Sequence, residues 1–429
     1  MKWALVCVAL AVLAVAAVSR RLSGTPVTPA MAFLAIGVLV GPAVTDGVDL
    51  SPTGSTVRTL AEATLAIVLF GDASRIRLTE LRHEFTVPLR LLTIGLPLTI
   101  AFGAALAALL FGQLMFTEAL VLAVLLAPTD AALGQAVVNE PRLPSRIRQG
   151  LNVESGLNDG ICVPLLFIVL AAAEVDSSMA SDHHALTIVS EEIGYGVLGG
   201  IGAGLLVSAI IATAGRRGLI EGAWLQVIPV AGAALAYGLA AALGGSGFIA
   251  AFVAGALFGA LAGDASDASV RFSEELGNVL DGVTFLVFGA VLLGPSLNDL
   301  TWSVVAYAVL SLTVVRMLPV AVALLRTGAR APTVAFLGWF GPRGLASIVF
   351  AVVVVEESHL PHVNTILLAT YATVGLSVVA HGATAAPLAD RYARWFQSHA
   401  RGEEPPMERV PAAPHRTRGT VVAAERGGS

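Results

Sequence analysis

Apolar segments of about 20 residues, each long enough to cross a bilayer as an α-helix, recur along the chain between short polar connections. A window of about 19 residues predicts thirteen spans, at residues 3–20, 27–45, 58–74, 86–112, 116–139, 147–173, 187–214, 221–243, 246–263, 275–296, 300–327, 332–355 and 362–388. The first is interpreted as a helix rather than a signal peptide, because it has no convincing small-residue cleavage site followed by a polar mature start. The pattern therefore predicts an all-α polytopic membrane protein with about 13 transmembrane helices.

The distribution of arginine supports this number of spans. Every second connection carries arginine, whereas the intervening connections contain only Arg58. The basic connections hold Arg20 and Arg21; Arg75, Arg77 and Arg82; Arg142, Arg146 and Arg148; Arg216 and Arg217; Arg271; and Arg326 and Arg330. Because basic loops stay in the cytoplasm, we expect a plasma-membrane protein with its N-terminus outside and its C-terminus inside. Thirteen spans also permit two six-helix units of inverted topology joined by a linker helix.

Composition agrees with a membrane protein and argues against several classes of function. Hydrophobic residues make up 56% of the chain and charged residues 13%, against about 25% charged in a soluble domain. Residues 1–395 are predicted to form one transmembrane domain, and the polar residues 396–429 a disordered cytoplasmic tail. The net charge of −5 and the absence of a basic stripe argue against nucleic acid as a partner. Cys7 and Cys162 lack ligand-like spacing, and no nucleophile motif is present, so neither a cofactor nor an enzyme is predicted.

The fifth span contains a strong helix-breaking signal. Its apolar run leads directly into Pro128, Thr129 and Asp130. Proline removes an amide donor and clashes with the preceding turn, so the helix is expected to break and to leave carbonyl groups beside a carboxylate. Such a combination suits a cation, because unwound backbone at mid-membrane is tolerated where it lines a cavity. The alternative is a simple kink in which Asp130 caps the next helical segment.

The sixth span carries four polar side chains within about a turn and a half. Ser155 and Asp159 share one helix face, and Glu154 and Asn158 share the adjoining face. Ionisable groups in a membrane are costly and face a cavity or a partner, so this cluster predicts an ion site. Alternatively, Glu154 is shallow and forms a structural ion pair, with nearby glycines allowing close packing.

A fixed positive charge, Arg343, lies inside the twelfth span, in the run Gly341-Pro342-Arg343-Gly344. It requires a carboxylate partner, and Glu154 and Asp159 are the candidates. Arg316 in the eleventh span presents the same requirement, although a packing role for it is equally compatible with the sequence.

Taken in order, these motifs resemble those of the monovalent cation/proton antiporter family, which includes the asparagine-aspartate type of prokaryotic sodium/proton antiporter and the eukaryotic sodium/proton exchangers. The resemblance covers about residues 1–395 and rests on Pro128-Thr129-Asp130, Glu154, Asn158-Asp159 and Gly341-Pro342-Arg343-Gly344. It implies a homodimer, a core domain that moves against a dimerisation domain, and two unwound helices that cross near the ion.

The resemblance also implies roles for individual residues. Asp159 and Asp130 would be carboxylate ligands shared by cation and proton, with Ser155 and the Thr129 carbonyl as further ligands of Na⁺ or K⁺. Arg343 would pair with Glu154, and Asn158 would help to hold that pair and accompany electroneutral exchange. Many relatives place a glutamate in the third span, where this chain has Asp72, which becomes a candidate for an additional ligand.

The predicted function is secondary active antiport of a monovalent cation for protons. Na⁺ is the expected cation, and K⁺ and Li⁺ remain open because the same oxygen ligands serve all three. A proton and a cation exclude each other at one carboxylate, so obligatory exchange follows if the site changes sides only when occupied. The alternative is a cation channel or a membrane-embedded ion or pH sensor without coupled turnover.

Overall fold

A computed structural model describes residues 2–22, 25–41, 54–75, 86–138, 140–177, 182–262 and 264–399, and these residues are helical with no strand. The first half contains α1 (Lys2–Leu22), α2 (Pro29–Val40), α3 (Gly54–Ser74), α4 (Thr86–Leu110), α5 (Phe116–Leu125), α6 (Gln135–Val138) and α7 (Ser145–Asp176). The second half contains α8 (Asp182–Arg216), α9 (Gly222–Ala242), α10 (Gly247–Ala262), α11 (Asp264–Val287), α12 (Trp302–Leu312), α13 (Val314–Ala323), α14 (Ala331–Trp339), α15 (Leu345–Glu357) and α16 (Val363–Ser398).

Each predicted span coincides with one helix or with consecutive helical segments, so the prediction of an all-helical polytopic membrane protein is confirmed. The tenth span continues from α11 through a π-helical segment, Phe288–Leu293, and a short α-helical segment, Gly294–Ser296. Eight helices in the described ranges are long and apolar enough to cross a membrane. The largest differences are at α11, which begins at Asp264 rather than 275, and at α16, which ends at Ser398 rather than 388. Residues 400–429, most of the predicted tail, lie outside the described part of the chain.

Three of the spans are interrupted. The fifth divides into α5 and α6, the eleventh into α12 and α13, and the twelfth into α14 and α15. The breaks in the fifth and twelfth coincide with Pro128 and Pro342, which cannot donate a backbone hydrogen bond. These two spans are seven apart in the count, which is the offset that two six-helix units and one linker require.

The helices pack in two groups. The first comprises α1–α3 and α8–α11, in which α3 contacts α10 and α11 and α8 contacts α10. The second comprises α4–α7 and α12–α16, in which α5 contacts α4 and α7 and α16 contacts α12 and α15. Fewer contacts join the groups, and they run mainly from α8, α3 and α10 to α7, from α3 to α15 and from α2 to α16. The interrupted helices thus belong to the second group, facing α3 of the first.

Candidate ion-binding site

A cavity of about 530 Å³, counting its open mouth, lies between the two helix groups. Its walls come from α3 and α11 on one side and from α7, α15 and the segment after α5 on the other. The polar residues that line it are Asp72, Arg75, Asp130, Ser155, Asp159, Ser273, Glu274, Asn278 and Asp281. Five carboxylates against one guanidinium make this a negatively charged space that attracts cations.

The two broken spans cross at the wall of this cavity. The backbone is non-helical from Ala127 to Asp130 and again from Phe340 to Gly344. The Asp130 N–H donates to the Pro342 carbonyl at 2.8 Å, which joins the two unwound segments directly. The crossing of two unwound helices, expected from the family resemblance, is therefore present.

Fixed charges compensate the helix ends that meet at this crossing. The Arg343 guanidinium, completely buried, donates through Nη1 to the carbonyls of Ala127 and Pro128, both at 3.2 Å. These carbonyls follow the C-terminal end of α5, where the helix dipole is negative. At the N-terminal end of α15, the Asp130 Oδ2 atom accepts the Leu345 N–H at 3.1 Å. Each half-helix end therefore faces a side chain of opposite charge.

Asp130 is consequently a capping residue. Its Oδ1 atom accepts the Ala132 N–H at 2.7 Å, while Oδ2 serves α15. The capping role that the sequence left as an alternative is therefore present, but the capped helix is α15 of the twelfth span, Ala132 lies in a turn, and the fifth span is broken rather than simply kinked. Gly344 is essential to it, because a Cβ at this position would overlap with the Asp130 carboxylate.

Side chains of α7, which corresponds to the sixth span, form hydrogen bonds with Thr129 in the unwound segment of the fifth span. The Ser155 hydroxyl donates to the Thr129 carbonyl. Asn158 makes a pair of contacts with the same residue: its Nδ2 donates to Thr129 Oγ1 at 2.8 Å, and its Oδ1 accepts the Thr129 N–H at 3.3 Å. Asp159 lies one turn beyond Ser155, is 7% exposed and lines the cavity. The four predicted ligand residues, Thr129, Asp130, Ser155 and Asp159, are therefore brought together.

The predicted partner of Glu154 was wrong. Glu154 forms a bidentate ion pair with Arg316. The Arg316 Nη1 atom donates to Glu154 Oε1 at 2.6 Å, and Nη2 donates to Oε2 at 2.9 Å; both side chains are 3% exposed. Arg343 is instead drawn to the carbonyl groups at the end of α5. Arg316 reaches across the twelfth span against Gly341, where the absence of a Cβ leaves room for its guanidinium.

The predicted role of Asn158 also needs correction. Both hydrogen bonds of its side-chain amide are with Thr129, and neither is with Glu154 or Arg316. The amide can donate and accept at once, so it suits a backbone segment that offers a free N–H beside a hydroxyl. Asn158 thus shapes the unwound segment rather than the ion pair.

Asp72 lies on the α3 wall of the same cavity, opposite α7. Its Oδ1 is 3.5 Å from Arg75 Nη1, and its Cβ would just touch a Cβ built on Gly156. The position allows Asp72 to approach an ion beside Asp159, and its role as a ligand stays a prediction.

Sequence reasoning missed the acidic face of α11. Glu274, Asn278 and Asp281 line the cavity, and Glu274 is joined to Arg75 of the α3 end at 2.5 Å. The signal was available: the spacing of four and three residues puts all three on one helix face. The predicted tenth span begins at 275, which leaves Glu274 outside it and separates this residue from Asn278 and Asp281.

The loop after the broken fifth span is anchored by a surface ion-pair cluster. Arg142 donates to Glu140 at 2.8 and 2.9 Å and to Asp390 of α16 at 3.0 Å. The hydrogen bond from Arg142 lowers the pKa of Glu140, an effect that outweighs the opposing effect of burial. The same bond, together with the one to Asp390, raises the pKa of Arg142.

The fold and the site define a class of protein: polytopic helical membrane proteins in which two broken helices cross beside buried carboxylates. Residues 8–391 match the family described as "Sodium/hydrogen exchanger, transmembrane", and the chain belongs to this family. The family consists of transport proteins rather than enzymes.

Individual relatives agree with this family. The chain is 29% identical over 344 residues to the K(+)/H(+) antiporter NhaP2 of Shewanella sp. (strain ANA-3), which covers 78% of this chain and 57% of that protein. It is 28% identical over 346 residues to the Na(+)/H(+) antiporter of Schizosaccharomyces pombe, covering 73% and 71%. The chain thus spans little more than half the length of the bacterial relatives.

A solved structure has the same fold. The sodium proton antiporter MjNhaP1 from Methanocaldococcus jannaschii at pH 8 superimposes with a TM-score of 0.72, covering 89% of this chain and 99% of that one, at 18% identity. The chain therefore shares its overall helical fold with that structure.

Proposed function

We propose that this protein exchanges a monovalent cation for protons, with Asp159 as the group that binds one or the other. The observation that carries the proposal is the meeting of Asp159, Ser155 and the Thr129 carbonyl at the wall of a negatively charged cavity. Carboxylate, hydroxyl and carbonyl oxygens are ligands that suit alkali cations. Relatives named as K(+)/H(+) and Na(+)/H(+) antiporters support the same reaction.

Two neighbouring charges have structural roles and are not part of the proposed ligand set. Glu154 is paired with Arg316, and Arg343 faces the carbonyl end of α5. Asp130 accepts two backbone N–H groups and lines the same cavity as Asp159, and a carboxylate offers about four acceptor positions. Asp130 and Asp72 therefore complete the proposed ligand set around Asp159 and Ser155.

Exchange follows from competition at one carboxylate. An oxygen of Asp159 that carries a proton cannot coordinate a cation, and a bound cation excludes the proton. A single carboxylate takes one proton or one monovalent cation, so the two loaded forms carry the same charge. The exchange is then electroneutral, and the membrane potential does not drive it.

The proposed setting is the plasma membrane, with the C-terminus in the cytoplasm and a homodimer as the working unit. Arg75 lines the cavity and belongs to a basic connection. Because basic connections remain in the cytoplasm, the cavity opens to the cytoplasmic side in this conformation.

The test is transport by purified protein in proteoliposomes. A pH gradient is imposed, and Na⁺, K⁺ or Li⁺ is added in turn while a trapped pH dye is followed. We expect dissipation that depends on the cation, saturates with its concentration and is unchanged when the membrane potential is clamped at zero. Asp159→Asn should abolish this signal, whereas Asp299→Asn, an exposed acid outside the cavity lining, should preserve it.

The same experiment separates antiport from the channel alternative. A channel would conduct the cation without moving protons, would not saturate in the same way, and would respond to the membrane potential. Cation-driven proton movement that survives Asp159→Asn in folded protein would overturn the assignment of Asp159. Failure of all three cations to move protons with the unmodified chain would overturn antiport itself.

A further inference from the structure

A second cavity, separate from the ion site, lies as a groove between α14 and α16. It encloses about 950 Å³, counting its open side. Its walls are mostly apolar and half of the lining residues are aromatic; the lining includes Ala335, Phe336, Trp339, Leu388, Tyr392 and Trp395. Neither ion binding nor the crossing of the broken helices requires a groove of this size.

One end of the groove is positively charged. Arg391 is the only charged residue in its lining. Its side chain is exposed, and no described residue forms an ion pair with it. Arg330 lies nearby, with its guanidinium 4.5 Å from the centre of the Trp395 ring. By contrast, Arg394 is already held by Asp390 at 2.9 Å.

The groove has a direction relative to the membrane. α14 and α16 run antiparallel along it, so Arg391 and Trp395 lie at the helix ends and Trp339 and Phe340 lie deeper. Phe340 begins the unwound segment that crosses the fifth span. The groove is basic at its outer end, has tryptophan and tyrosine beside that end, and is apolar at its inner end. A membrane leaflet changes in the same order, from charged headgroups through the interface to acyl chains.

We propose that this groove binds an anionic phospholipid, with an acyl chain along the aromatic walls and the phosphate at Arg391, flanked by Arg330. Basic pockets between membrane helices on the cytoplasmic side recognise lipid headgroups in this way. The chain's own segment 401–429 is a poorer occupant, because it contains no aromatic residue, and its five arginines outnumber its four glutamates, so it offers no net negative charge to Arg391. A second copy of the chain would need a protruding apolar ridge to fill so concave a space.

A chain of hydrogen bonds links the groove to the crossing of the broken helices. Trp339 donates from Nε1 to Thr384 at 3.0 Å, and its carbonyl lies 3.0 Å from His381 Nε2. The ring of His381 in turn contacts Ser377, which accepts the Arg343 N–H at 2.6 Å. A lipid packed against Trp339 therefore supports the backbone that carries Arg343 to the site.

The experiment measures lipid binding directly, so it does not depend on the transport proposal. The full chain is delipidated in detergent and titrated with phosphatidylglycerol or with phosphatidylcholine of the same acyl chains, and bound lipid is counted by native mass spectrometry. We expect one phosphatidylglycerol per chain in preference to phosphatidylcholine. Arg391→Gln should weaken that binding about tenfold or more, the loss expected for one charge-assisted hydrogen bond.

Two matched controls and a filling variant sharpen the result. Arg394→Gln removes an arginine three residues away that is already paired, and should leave the affinity unchanged. Ala335→Trp fills the groove and should abolish the bound lipid, whereas Ala108→Trp at an exposed position of α4 should not.

Several results would overturn the proposal. Unchanged phosphatidylglycerol binding in both Arg391→Gln and Ala335→Trp would place the lipid elsewhere. Equal binding of the two lipids would remove the headgroup contact. Loss of the site on deletion of residues 401–429 would assign it to the tail, and a change of oligomeric state in Ala335→Trp would assign the groove to a second copy.

Discussion

Replacing Arg316 with methionine should destabilise the protein by about 3–5 kcal/mol, because Glu154 would be left buried without its counter-charge. The structure gives the pair two hydrogen bonds, at 2.6 and 2.9 Å, and both side chains are 3% exposed. Water can therefore replace little of the lost interaction. Removing both charges together, in Arg316→Met with Glu154→Gln, should recover most of the loss, since a buried pair is worth little more than well-packed neutral side chains.

The assay is a double-mutant cycle on the free energy of unfolding, followed by tryptophan fluorescence as SDS is titrated into detergent micelles. The coupling between positions 154 and 316 should reach several kcal/mol, because the single changes are costly and the double change is not. The matched cycle uses Arg343→Met with Glu154→Gln. The Arg343 guanidinium donates to the Ala127 and Pro128 carbonyls and not to Glu154, so its coupling should be much smaller. A larger coupling of Glu154 to Arg343 than to Arg316 would refute the geometry.

Two further predictions concern the crossing and the loop that follows it. Gly344→Ala should destabilise the protein by about 1–3 kcal/mol and stop exchange, because the added Cβ would displace the Asp130 carboxylate. Gly238→Ala is the control, because the space around Gly238 is open, and it should be tolerated. The SDS titration and the proteoliposome assay measure both effects. Glu140→Gln should lower the midpoint of thermal unfolding at neutral pH. The folded-state pKa of Glu140 is below its ordinary value of 4.5, so its stabilising effect is present above that pH and lost as the pH falls through the folded value; a difference from the unmodified protein that grew below pH 4 would contradict this cause.

The helical architecture could be predicted because the bilayer leaves few choices. Backbone groups in lipid must be satisfied within a helix, so thirteen apolar runs and alternating arginines were enough to give the spans. Pro128 also marked where the fifth span breaks, since proline has a local effect that needs no knowledge of neighbours. The second unwound helix was expected only through the family resemblance.

The pairing of charges could not be predicted in the same way. Glu154, Arg316 and Arg343 all lie in apolar spans, and the sequence gives no distance between spans that are more than 150 residues apart. The choice of Arg316 depends on the small volume at Gly341 and on the carbonyl groups that occupy Arg343. Glu118 is a similar case: it lies at a span end, yet it is fully buried because the distant His362 contacts its carboxylate at 2.9 Å.

The crossing of the two broken spans also has a consequence for the order in which the protein is made. Asp130 and the Leu345 N–H that it caps are 215 residues apart. At a synthesis rate of about 5–20 residues per second, the fifth span waits roughly 10–40 s before its partner leaves the ribosome. During that interval the Ala127 and Pro128 carbonyls and the Asp130 carboxylate have none of their twelfth-span partners. Water, the translocon or a membrane chaperone must shield this polar segment until the twelfth span arrives.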